Sequence, residues 1–160
     1  MVKSILSEIR QTRPFRSPQE QAVINMMRTS RAIEESWLTY LKRTEGISLS
    51  QYNILRILRG AHPESVKISQ IAERMIYHDP DVTRLVDRLV GQGVALRERD
   101  TQDRRVVFVS ITKAGLTLLE RLDEPVDRYS HAVMAGLTVK QLRELEALLD
   151  HLRAGIQPFP

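Results

Sequence analysis

No cysteine occurs in these 160 residues, which excludes disulfides, thiolate zinc sites and cysteine redox switching together. Long apolar runs are missing too. Nothing approaches the roughly 18 consecutive apolar residues of a membrane span. The N-terminus, Met1-Val2-Lys3-Ser4-Ile5-Leu6, lacks the apolar core and small-residue cleavage site of a secretion signal, so a cytoplasmic protein is expected. There is no internal repeat and no low-complexity segment. His62, His78, His131 and His151 include no pair four residues apart on one helix, so no metal site is read from them. Only a meeting of His131 and His151 across two chains would leave a metal-responsive protein as an alternative. Nucleophile elbows, phosphate-binding loops and metal-ligand spacings are likewise lacking, which argues against an enzyme. No cofactor is expected.

What remains is an ordinary globular composition, 42% hydrophobic and 28% charged, with a net charge of +4 that suits a polyanion. Helix starts are well marked. Ser17-Pro18-Gln19-Glu20, Ser48-Leu49-Ser50-Gln51 and Thr138-Val139-Lys140-Gln141 are capping boxes. Asp79-Pro80 reads as an acidic cap with proline at the first helical position. Each cap is worth about 1 kcal/mol. Apolar spacing then predicts helices over 18–44, 49–60, a short segment with Ile68, Ile71, Ala72 and Met75 inward, 80–90, 113–135 with a bend at Pro125, and 139–154.

Between the fourth and fifth helices lie two β-prone runs, 94–99 and 106–111, around the tip Asp100-Thr101-Gln102-Asp103-Arg104-Arg105. Alternation places Val94 and Leu96 on one face of the first strand, and Val107, Val109 and Ile111 on one face of the second. The fold class expected is mainly α with a small hairpin (α+β), a winged helix-turn-helix of order α-α-α-α-β-β-α-α, with a further short strand near Val66 allowed. The fourth helix turns Val82, Leu85, Val86, Leu89 and Val90 inward. Pro80, Asp81, Arg84, Asp87 and Arg88 are left on its open side.

Such a helix fits a major groove, and a hairpin with arginines at its tip reaches the neighbouring backbone or minor groove. Double-stranded DNA is therefore the expected partner. Arg84, Arg88, Arg104 and Arg105 are candidate contacts. Arg97 and Arg99 flank the wing and are expected on phosphates. Asp103 is expected to orient an arginine through a bidentate pair. Asp81 either complements the helix dipole or accepts from a cytosine amine. A winged-helix module that binds protein instead of DNA is the alternative. It would be expected to lose these basic residues.

The terminal segments carry more apolar surface than a small winged-helix core can cover. Val23, Met26, Met27, Ile33, Trp37, Leu38 and Leu41 stripe the first long helix. Leu142, Leu145, Leu148, Leu149 and Leu152 stripe the last. Val2, Ile5, Leu6 and Ile9, with Ile156 and Phe159, extend both ends. Either these segments fold back on their own chain, or two chains interleave them in an isologous dimer. On the second reading, residues 1–45 and 116–160 form dimerisation helices and arms, and 46–115 the DNA-binding domain.

At the wing the chain resembles the multiple-antibiotic-resistance-regulator (MarR) family of transcription factors. The family signature, Asp-x-Arg, five residues, Leu-Thr, two residues, Gly, is matched by Asp103-Arg104-Arg105, 106–110, Ile111-Thr112 and Gly115. Ile111 replaces the leucine. The run from Val82 to Leu89, with Gly93, is similar to the family's recognition helix. The resemblance implies that Arg105 enters the minor groove and that Pro80, Asp81, Thr83 and Arg84 read base edges. It also implies an effector cavity between dimer helices and winged domain, where Trp37 and Tyr40 would line a pocket for a small aromatic or amphipathic compound. Otherwise these two are core or dimer contacts. The third helix departs from the pattern. Lys67 stands where a Ser or Thr cap is usual, followed by Ser69 and Gln70, which adds a cation for phosphate. Tyr77-His78 before the fourth helix also departs, so base preference there does not transfer.

Overall fold

The computed structural model describes residues 3–77 and 79–157. Val2, His78 and Phe159 lie outside them. The chain runs α1 (Ile5–Glu8), α2 (Pro18–Thr44), α3 (Leu49–Ala61), β1 (Val66–Lys67), α4 (Ile68–Arg74), α5 (Val82–Gly91), β2 (Ala95–Arg99), β3 (Val107–Ile111), α6 (Lys113–Met134) and α7 (Val139–Gly155). The three strands form one antiparallel sheet of order β1-β3-β2. Two elements exceed the firm expectation: the short α1 and the strand at Val66, which pairs with Val109.

Three of the four expected caps form at the residue the sequence indicates. The boxes at Ser48 and Thr138 close fully, whereas at Ser17 the Glu20 carboxylate accepts the Arg16 N–H at 2.7 Å instead of completing one. The hydroxyls of Ser17, Ser48 and Thr138 accept from the backbone N–H three residues on, at 3.1, 3.1 and 3.3 Å. The fourth does not. Asp81, not Asp79, caps α5 and accepts from the Arg84 N–H at 3.1 Å. Asp79 instead accepts from the Asp81 N–H at 3.0 Å, a local turn closed by its own side chain. Two aspartates bracket Pro80, and the second takes the cap. Pro80 and Asp81 therefore belong to the turn before the helix rather than to its first turn.

A single core gathers the C-terminal part of α2, α3, Ile71 of α4, α5, the sheet and the first half of α6. Leu41, Ile54, Leu55, Leu58, Val86, Leu89, Val109 and Leu119 are fully buried within it. Ala72, expected inward, is exposed, and Ile71 alone of α4 is buried. Val90 is only half-buried. In β2 the facing is the reverse of the expectation. Ala95 opposes Ile111 and Arg97 opposes Val109, and directly opposed residues share a face. The buried Val109 and Ile111 therefore bring Ala95 and Arg97 inward, and Leu96 is 53% exposed. A slip of one residue flips every side chain of a strand.

Gly93 and Gly115 join the end of α5 to the start of α6. Gly93 adopts φ +72°, donates to the Val90 carbonyl at 2.9 Å, and is followed by Val94 donating to Leu89 at 3.1 Å. That pair of bonds is the left-handed helix stop glycine permits. Gly115 lies so close to the Val94 carbonyl that a Cβ there would stand 2.2 Å from its oxygen. Thr112 completes the junction. Its hydroxyl donates to the Gly93 carbonyl at 2.8 Å and accepts from the Gly115 N–H at 3.1 Å, while its backbone N–H donates to Val94 at 3.2 Å.

Candidate nucleic-acid interface

α4 and α5 form a helix-turn-helix whose connecting loop is held from below. Asn53, a buried amide on α3, accepts the Ile76 N–H through Oδ1 at 2.8 Å. A lone asparagine among Tyr52, Ile54 and Leu55 was the available signal for it. At the start of α4 the Lys67 N–H donates to Gln70 Oε1 at 3.3 Å, so half of a capping box forms without a hydroxyl cap. The Lys67 ammonium lies 5.8 Å from the Phe108 ring centre. Lys67, Ser69 and Gln70 are all exposed, as are Pro80, Asp81, Thr83, Arg84 and Arg88 along the turn and open side of α5.

The wing tip is closed by two aspartates. Asp100 Oδ1 accepts from the N–H groups of Gln102 and Asp103 at 2.7 and 3.0 Å. The N–H groups of Asp103, first, and Gln102 hold the Asp100 carboxyl below its ordinary pKa. Asp103 accepts from the backbone N–H of Arg105 at 2.9 Å. It therefore folds the tip instead of gripping an arginine head in a bidentate pair. Arg99, Arg104 and Arg105 stay exposed. Arg97 does not join them. It faces inward, and its guanidinium pairs with Asp87 of α5.

The result is an asymmetry of charge. Asp81 caps a helix, Asp87 is paired, and Asp100 and Asp103 close the tip. The exposed cations Lys67, Arg84, Arg88, Arg99, Arg104 and Arg105 enter no ion pair among the described residues, and neither does Glu98, the exposed acid of β2. Exposed guanidinium and ammonium groups without an acidic partner are chemically suited to phosphate oxygens.

Trp37 and Tyr40 are placed apart from that surface. Trp37 is buried, stacked on Tyr40 and Tyr129 at 5.2 and 4.9 Å and edge-on to Tyr52 at 5.9 Å. The Tyr129 hydroxyl donates to the Ile33 carbonyl at 2.6 Å. Trp37, Tyr52, Asn53, Arg56, Tyr77 and Tyr129 contribute to the lining of a cavity of about 220 Å³ between α2, α3, α6 and the loop before α5. Tyr40 backs Trp37 and is not part of that lining. Burial pushes the Tyr52 hydroxyl up in pKa against the lowering pull of Arg56, and burial likewise raises Tyr77, so both remain neutral hydrogen-bonding groups.

Helix-turn-helix, three-stranded sheet and basic hairpin together define a winged-helix regulator. The MarR family profile matches residues 47–107. A MarR transcription factor from Planctomyces limnophilus is 40% identical, covering 86% of this chain and 98% of its own, with a TM-score of 0.64. The chain belongs to the MarR family of transcriptional regulators. Sco3205, a MarR family regulator from Streptomyces coelicolor solved in complex with DNA, shares the fold at a TM-score of 0.77 and 21% identity, over 92% of this chain and 94% of that one. The homoprotocatechuate degradative operon repressor of Escherichia coli is 25% identical over 119 residues, 74% of this chain and 79% of the repressor.

Proposed function

We propose that the protein is a homodimeric, sequence-specific DNA-binding repressor of transcription in the cytoplasm. The observation that carries this reading is the charge asymmetry of α5 and the wing. Asp81, Asp87, Asp100 and Asp103 are engaged internally while Arg84, Arg88, Arg99, Arg104 and Arg105 are presented, against Glu98, the single exposed acid of β2. Each protomer places α5 in a major groove, with Thr83, Arg84 and the preceding turn toward base edges. Arg105 enters the flanking minor groove, and Lys67, Arg99 and Arg104 meet phosphates. Sco3205, of the same fold, has been seen with DNA, and a repressor is among the relatives.

Residues 46–115 serve as the reading domain, with 1–45 and 116–160 as dimerisation helices and arms. The exposed apolar residues Val23, Met26, Met27, Leu148 and Leu152 support pairing of two chains. Two-fold symmetry then sets recognition helices about 34 Å apart and selects a pseudo-palindrome of roughly 16–20 base pairs. An aromatic or amphipathic effector of single-ring size fits the cavity beside Trp37. That cavity touches Ile76 and Tyr77 at the approach to α5, so its occupant biases the position of the reading helix.

DNA selected by the purified protein from random fragments should show two inverted half-sites one turn apart. On that site Arg105→Ala weakens binding by about 1–3 kcal/mol and leaves the sedimentation of the dimer unchanged. Unchanged affinity removes the wing from the reading. Selection of no sequence at all removes the function.

A further inference from the structure

The two inner-face arginines of β2 are treated differently. Arg99 is exposed toward the tip, whereas Arg97, two residues nearer the root, is held by Asp87 on α5, with side chains 30% and 48% exposed. The hairpin root already has one attachment to the end of α5, the Thr112–Gly93–Val94 junction. β1 holds the β3 edge of this ribbon at Val109 and Phe108, whereas among the described residues the β2 edge is hydrogen-bonded toward α5 only at the root. Arg97 lies three residues beyond Val94, about 10 Å further along the strand at roughly 3.3 Å per residue. A second attachment there ties the β2 edge to the reading helix beyond the root.

We propose that the Asp87–Arg97 ion pair is a positioning brace for DNA recognition, fixing the angle between reading helix and wing while neither side chain touches the nucleic acid. The inference rests on the DNA-reading assignment above. It makes a prediction of unusual sign. As an isolated charge, the Asp87 carboxylate repels phosphate, so its removal would tighten binding. As half of a brace, its removal loosens the wing and weakens binding.

The test uses the full-length protein with Asp87→Asn, Arg97→Met and the exchanged pair Asp87→Arg with Arg97→Asp. Affinity for the selected operator is followed across a salt series. In the free protein, residual dipolar couplings report the orientation of α5 relative to the hairpin. Each single substitution should weaken binding about two- to fivefold, the range of an exposed ion pair, with an unchanged salt slope. The exchanged pair should recover most of the loss. Couplings of the single variants should cease to fit one rigid orientation, whereas those of the exchanged pair should fit it again. Equal or tighter binding by Asp87→Asn overturns the brace. So does a salt slope reduced by about one contact in Arg97→Met, which would place Arg97 on phosphate. Couplings that keep the original orientation in both single variants overturn it without reference to DNA. If the unsubstituted protein selects no DNA, the functional reading fails, and the couplings still decide the brace.

Discussion

Leu55 and Leu148 both lie in the apolar stripe of an amphipathic helix, yet the first is fully buried and the second 68% exposed. Around Leu55 the core is closed by its own chain: α3 packs against α2, α5, α6 and the sheet. Around Leu148 none of the described α7 residues is buried. The outer part of α2 is alike, with Met27 65% exposed. Helical period marks a stripe that needs covering and says nothing about which chain covers it. The winged region finds its cover within the protomer. The terminal helices leave theirs uncovered within the protomer, and on the proposed function a second copy supplies the cover.

The comparison is most sharply tested by truncating both leucines. Leu55→Ala should cost about 2–5 kcal/mol in denaturant unfolding, the range for buried leucine with its residual cavity. Leu148→Ala should cost only a few tenths if the residue stays in water, but a larger, concentration-dependent amount if a partner buries it. A small, concentration-independent loss would break the contrast by making α7 an ordinary surface. Next in size is Gly115→Ala, at about 1–3 kcal/mol, because the new methyl meets the backbone oxygen of Val94, which cannot swing aside, as well as the buried Ile111 side chain at 2.7 Å. Gly136, with nothing within 4 Å of an added Cβ, should accept alanine with little change in melting temperature.

Smaller effects separate the reading helix from the wing. Asp81→Ala should cost about 1 kcal/mol, and Asp79→Ala clearly less; equal losses would contradict the cap at Asp81. At the tip, the Asp100 carboxyl has a folded pKa below its unfolded value. Its contribution is therefore complete above the unfolded value and is lost as pH falls through the lowered folded one. Amide exchange of Gln102 and Asp103 should quicken only in that acid window, while the α3 core is unaffected. Quickening at neutral pH would mean the tip is held by something else.

Much of this arrangement was legible from local chemistry. Ser17, Ser48 and Thr138 announce helix starts through bonds that span three residues, and Gly93 announces a stop. The inward set Val82, Leu85, Val86 and Leu89 follows from helical period alone. Of the candidate site, exposure of Lys67, Ser69, Gln70, Thr83, Arg84, Arg88 and the two tip arginines matched the pattern. The misreadings concern choices among equals. Two aspartates flank Pro80, and either makes a plausible cap. In β2, Leu96 is the larger apolar side chain, but the register with β3 makes small Ala95 the buried one. That same register turns Arg97 toward α5, so a residue read as a phosphate contact becomes half of an ion pair.

By itself, the sequence determined where most of the helices begin and stop, which hairpin carries the basic tip, and that no cysteine chemistry takes part. Those features depend on neighbours a few positions away, and a linear string displays them. Only the tertiary structure decided that Asn53 supports the loop before α5, that Thr112 and Gly115 lock the wing to the end of the reading helix, and that Asp87 claims Arg97. Each of these joins groups ten or more residues apart, or depends on which strand face meets the core. Packing in three dimensions sets such pairings, and no local spacing encodes them.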